Sequence, residues 1–163
     1  MQLGKFTFSK TAALAPMAGV ADAAFRRFCV GDGAAFTVSE MVSAKALTFG
    51  DAKSRELMQL DNRERPAAIQ LFGDDPETMA KAAHLAMEQK PDWLDINMGC
   101  PVPKVVNNGE GSALMKQPKL VEEILTKTVK AIQKPVTVKI RKGFDDTSVN
   151  AVEIAKICEI PPI

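Results

Sequence analysis

The stretch that decides the fold is Arg65–Gln89, RPAAIQLFGDDPETMAKAAHLAMEQ. RPAAIQLFG reads as a strand, and the apolar spacing that follows reads as a helix. An aspartate can cap that helix, and Pro76 fits its first turn, where a missing amide hydrogen costs nothing. The same alternation recurs on either side. DWLDINMG makes the next strand, and PKLVEEILTKTVKAIQ the next helix, with Leu120, Val121, Ile124 and Leu125 on one stripe. KPVTVKIRKG then begins another strand. Upstream lie an opening ribbon, the short apolar run AALAPM, the helical stretch DAAFRRFC, the strand AAFTVSEM and a less definite helix around SRELMQL.

Repeated strand-helix order implies parallel strands joined by right-handed crossovers, because a parallel neighbour needs a return path long enough to hold a helix. The expected class is α/β. A closed eight-stranded barrel takes about 250 residues, whereas this chain has 163 and ends at CEIPPI after about five strands and a last helix. Read as a barrel, it is an amino-terminal portion, and the abrupt EIPPI ending favours an interrupted product.

Composition narrows the function classes. Lysine and arginine number 21 against 20 aspartate and glutamate, so no global attraction for nucleic acid exists, although a local basic face can. Cys29, Cys100 and Cys158 are odd in number and far apart, which fits a reducing compartment and gives little support to metal binding. The amino terminus has neither the apolar run of a signal peptide nor that of a membrane span, so the expected location is the cytoplasm.

Strand parity sorts the polar residues, since successive side chains point to opposite faces of a sheet. Ile69, Leu71, Leu94 and Ile96 share the helix-facing side, leaving Gln70, Asp95 and Asn97 on the other, and Lys139 opposes Val138 and Ile140. Gln70, Asn97 and Lys139 thus sit near the carboxyl ends of three strands, where parallel barrels place their sites. A buried lysine calls for an anion, which a negatively charged ligand would supply; a salt bridge to Asp95 or Glu40 would do the same. Gln70 and Asn97 could equally satisfy loop backbone groups.

Cys100 follows Asn97 and precedes Pro101, which biases the backbone before it toward an extended shape. A lone cysteine is commonly a small apolar core residue. The single histidine, His84, lies in a helix away from it, so cysteine-histidine nucleophilic catalysis is weak. Proton donation remains, since a free thiol is mostly protonated at neutral pH and can still yield its proton. The loop NNGEGSALM lacks the phosphate-binding patterns of nucleotide sites; it reads either as an anion cradle or as a tight turn leading to Ser112 as a helix cap.

APMAGVAD, TVSEMVSAKAL, IQLFG, DINMGCP, GSALM and VTVKIRKGF occur in the order and spacing of the tRNA-dihydrouridine synthases, and the chain resembles the bacterial B-type branch above all. The resemblance implies a flavin enzyme with an amino-terminal TIM barrel and a carboxyl-terminal helical domain, reducing particular uridines of tRNA with NADPH. Residues 1–163 would be a partial FMN-binding barrel domain, with the second barrel half, its phosphate-binding segments and the helical tRNA-binding domain absent. By the same resemblance Pro16, Met17 and Ala18 lie along FMN, Gln70 and Lys139 bind it, and Asn97 positions both cofactor and uracil. Cys100 donates a proton to uracil C5 opposite the hydride delivered to C6, while Lys139 stabilises the reduced ring. Arg141 and Lys142 are candidates for gripping the RNA backbone, or are simply solvated loop charges.

Three departures from the family pattern lie beside the site: Ala21 for threonine, Ala35 for glycine and Pro103 for a basic residue. Two other readings stay open, an FMN-dependent barrel oxidoreductase acting on a small substrate and a non-catalytic remnant. An isolated five-strand portion would expose strand edges and tend to aggregate.

Overall fold

The computed structural model describes residues 2–9 and 12–159. The last residues of EIPPI, 160–163, lie outside that range. A two-residue hairpin, β1 (Gln2–Leu3) and β2 (Phe6–Thr7), opens the chain, and helix α1 (Ala23–Gly31) follows, capped by the Asp22 side chain accepting from the Phe25 amide. Four strands then form one parallel sheet in chain order: β3 (Thr37–Ser43), β4 (Ala67–Phe72), β5 (Trp93–Met98) and β6 (Val136–Ile140).

Helices alternate with these strands. Short α2 (Ala44–Thr48) and α3 (Ala52–Leu57) follow β3, α4 (Pro76–Ala86) follows β4, α5 (Pro103–Val106) and α6 (Pro118–Ala131) follow β5, and α7 (Ala151–Cys158) follows β6. The arrangement is the amino-terminal portion of a (β/α)8 barrel. Asp75 caps α4 by accepting from the Thr78 amide at 2.8 Å, with Pro76 in the first turn, as the sequence predicts.

AALAPM forms less of a strand than expected. It contributes one parallel bridge, Leu14 with Thr37, in which the Leu14 amide donates to the Phe36 carbonyl and its own carbonyl accepts from the Val38 amide. Pro16 cannot donate to a ladder, so pairing ends there. Helix α3 occupies only the front of SRELMQL, and α2, five residues capped by Ser43, has too short a period to show in the sequence.

The two faces of the sheet carry different cores. Ile69, Leu71, Leu94, Ile96 and Met98 face the helices and are buried against Met79, Ala82, Ala83 and Ala86 of α4 and Val121, Ile124 and Leu125 of α6. The small alanine row lets α4 approach closely. On the opposite face, near the amino ends of the strands, Val38, Ala68 and Trp93 pack with Leu3, Phe6, Phe8 and Phe36. Phe36 meets Trp93 edge-on with ring centres 5.2 Å apart, and Phe6 lies 6.0 Å from Trp93. The opening hairpin thus plugs the lower end of the interior and leaves polar residues for the upper end.

β6 has β5 on one side and, among the described residues, no strand on the other. A cleft of about 720 Å³ lies along that edge, lined in part by Leu125, Val129, Ile132, Val136, Val138 and Cys158. No helix among the described residues is long and apolar enough to cross a membrane.

Candidate active site at the carboxyl ends of the strands

Register places the polar residues on one face. Gln70 pairs with Asp95, Asp95 with Thr137, and Asn97 with Lys139, and directly paired residues of a parallel sheet point the same way. Three of these side chains form a relay. Gln70 Nε2 donates to Asp95 Oδ2 at 2.6 Å, and Asn97 Nδ2 donates to Gln70 Oε1 at 2.9 Å. Thr137 Oγ1 donates to the other Asp95 oxygen.

The far end of the relay holds Cys100. Asn97 Oδ1 accepts from the amides of Gly99 at 3.1 Å and Cys100 at 2.9 Å, so one side chain folds the loop back over the strand end. From the other side the Ser112 amide donates to the Cys100 carbonyl at 2.9 Å. Gly111 makes that approach feasible: its φ is +60°, and an added Cβ would stand 2.7 Å from the Cys100 carbonyl oxygen and 3.1 Å from Cys100 Cβ. Cys100 itself is a free, half-buried thiol. NNGEGSALM therefore braces the cysteine loop. Ser112 is not a helix cap; it lies inside a 3-10 turn, Gly111–Lys116, preceded by Glu110, which makes no capping bond.

Gln70 is fully enclosed, with its amide spanning Asp95 and Asn97, and its own backbone amide donates to Ser39 Oγ at 3.0 Å. Asn97 lies nearer the surface, buried but not sealed. Asp95 is buried, and desolvation raises its pKa above the ordinary carboxylate range. The hydrogen bonds from Thr137 and Gln70 and the charge of Lys139 act against that rise without cancelling it.

Lys139 departs from expectation. It is exposed, and among the described residues it makes no ion pair with Asp95 or Glu40. Its strand, β6, is an edge of the sheet among the described residues, which leaves the Lys139 side chain uncovered on that side. Glu40 has another task, accepting from the Gly19 amide.

That contact orders the loop after the first parallel segment. The Met17 carbonyl accepts from the amides of Val20 and Ala21, Gly19 adopts φ +76°, and Glu40 ties the turn to β3. Pro16 is half-buried, while Met17 at 39% and Val20 at 50% are exposed, giving an apolar shelf with Ala18 at the same end of the sheet as Cys100. Behind it a buried ion pair joins Arg26 to Glu64, and Arg26 Nη1 also donates to the Ala21 carbonyl at 2.8 Å. Neither Glu40 as a loop anchor nor the Arg26–Glu64 pair is visible in the sequence, because both join residues distant in the chain.

Arg141 and Lys142 are exposed on the rim. Arg141 Nη1 lies 3.5 Å from the Gly99 carbonyl, a weak contact, and Lys142 pairs with Asp146 at 2.5 Å. Of the departures noted above, Ala21 is fully buried, Ala35 is half-buried, and Pro103 opens α5, where its missing amide hydrogen is harmless.

A profile of the family described as Dihydrouridine synthase (Dus) matches residues 13–160, which include every site residue above. The chain belongs to the dihydrouridine synthase family. Among similar proteins, tRNA-dihydrouridine synthase B of Shewanella oneidensis is 45% identical over 159 residues, covering 98% of this chain and 49% of that protein. The proteins of the same name from Pasteurella multocida and Pseudomonas aeruginosa are 43% and 42% identical over the same share of this chain, and 48% of each is covered. This dihydrouridine synthase chain thus spans about half the length of the curated relatives it matches.

Proposed function

We infer that the chain forms the proton-donating half of a tRNA-dihydrouridine synthase, reducing the C5–C6 double bond of tRNA uridines with FMN as cofactor and NADPH as reductant. The observation carrying this reading is Cys100 held through its backbone amide by the Asn97 side chain at the carboxyl end of β5, in a member of this family.

The residues present fit a flavin. A planar ring needs an apolar surface, and Pro16, Met17 and Ala18 offer one; a ring that gains negative charge needs a cation, and Lys139 is exposed and, among the described residues, has no ion pair. Asn97 would face cofactor and uracil, with Gln70 supporting it from below. When bound, FMN supplies the hydride for uracil C6.

The chain's own part is acid catalysis and positioning. Cys100 Sγ gives its proton to uracil C5, completing the saturated bond, and is later reprotonated from solvent. The amide of Asn97 and the brace from Ser112 fix the loop, so the thiol need not be ordered during the reaction. Arg141 and Lys142 would meet the RNA backbone around a uridine drawn out of its stack. The rest of the barrel, the phosphate-binding groups and the tRNA-binding helices would come from the length that the relatives have beyond the match. A cytoplasmic setting follows from that substrate and from three free thiols.

The test is to supply a completed barrel that carries these residues with FMN, NADPH and unmodified tRNA and to count dihydrouridine by mass spectrometry. Dihydrouridine in tRNA but not from free uridine supports the reading; turnover of free uridine alone would instead mark a small-molecule oxidoreductase.

A further inference from the structure

The geometry points to Asp95 as a positioning residue that sets the direction of the whole relay and thereby holds the Cys100 loop. It rests on the reading that Cys100 is the acid, but its own logic is one of donors and acceptors. An ionised carboxylate only accepts. Gln70 must therefore turn its Nε2 toward Asp95, which leaves Oε1 facing Asn97. Asn97 must in turn present Nδ2 to Gln70, and only then does its Oδ1 face the amides of Gly99 and Cys100. Reverse Asn97 and its Nδ2 confronts the amides of the cysteine loop; reverse Gln70 and its Nε2 confronts Asn97 Nδ2 while its Oε1 faces the Asp95 carboxylate.

The site is built for this. Asp95 and Gln70 are buried, so water cannot replace a lost partner, and Thr137 occupies the second carboxylate oxygen with a donor as well. A buried carboxylate is costly to keep. Among the described residues no cation lies within ion-pair distance of it, so directing the neighbouring amides is the role its surroundings leave to it.

An isosteric change and an exchange of ends test the idea. In Asp95→Asn, residue 95 can donate as well as accept and no longer dictates the orientation of Gln70. Amide hydrogen exchange at Gly99 and Cys100 should then rise about tenfold, the worth of one hydrogen bond, while the Ile96 amide is unchanged. The exchange variant Asp95→Asn with Asn97→Asp restores a directed chain. Asn at 95 donates to Gln70, Gln70 donates to the new carboxylate, and that carboxylate accepts from Gly99 and Cys100; protection should return. Thr137→Val removes a donor without changing direction and should leave exchange at Cys100 as in the parent. Equal exchange in Asp95→Asn and parent would overturn the proposal. So would an exchange variant no better protected than Asp95→Asn, or a Thr137→Val that loosens the loop as much. These readouts need no tRNA, so failure of uridine reduction in the parent would count against the proposed function and leave the relay standing.

Discussion

The side-chain Oδ1 of Asn97 accepts from the backbone amide of Cys100 at 2.9 Å, so the residue expected to face cofactor and base also sets where the cysteine loop stands. On the proposed reading, binding and acid catalysis would be coupled through this one side chain, and several consequences can be measured.

Gly111→Ala should destabilise the protein by about 2 kcal/mol or more, because a side chain at positive φ is strained and its Cβ would strike the Cys100 carbonyl. The loss should appear in thermal melts and in altered alkylation of Cys100. A variant with unchanged melting and thiol reactivity would show that the loop does not brace the cysteine.

Asp95 predicts a pH signature. Burial raises its pKa in the folded protein, so the fold binds this proton more readily than the unfolded chain. Its contribution to stability is greatest below the ordinary carboxylate range and is lost as pH rises through the raised value. Asp95→Asn removes that titration. The stability of the variant relative to the parent should therefore improve as pH rises out of the ordinary carboxylate range in denaturant titrations, and a relative stability that worsens over that rise would contradict the assignment.

Lys139→Met should leave stability within about 0.5 kcal/mol, as expected for an exposed side chain, yet weaken FMN binding and slow uridine reduction. Flavin titration and stopped-flow rates decide it: parent-like affinity and rate would remove Lys139 from the cofactor site.

Much of this site was legible because strand parity is a rigid rule: the period-2 pattern in AAIQL and WLDIN separates Ile69 and Leu94 from Gln70 and Asp95 with no knowledge of the fold. The exposure of Lys139 was not legible, since it depends on what lies beyond β6 rather than on the strand itself. The Glu40 anchor was hidden for another reason. β3 shifts register between Val38 and Met41, and such irregularities re-aim side chains without a pattern of their own. Ser112 misled because a serine before an apolar run resembles a cap, whereas here its backbone amide, not its hydroxyl, meets Cys100.

The open edge of β6 should govern the behaviour of the 163 residues expressed alone. Among the described residues no strand covers the outer edge of β6 beside Val136 and Val138, and such an edge invites pairing with other copies, so light scattering should show association, with feeble flavin retention and no dihydrouridine formed. A monodisperse, flavin-loaded and active chain would mean that a second copy completes the site.

The central claim is that Cys100 is the acid, and single-turnover reduction of tRNA by a completed barrel that carries these residues, preloaded with reduced flavin, tests it most directly. Cys100→Ala should bind FMN as the parent does, because the thiol is not part of the cradle. It should form dihydrouridine at least about 100-fold more slowly, the usual worth of a positioned general acid. Equal rates of flavin reoxidation and dihydrouridine formation in the two proteins would contradict the account.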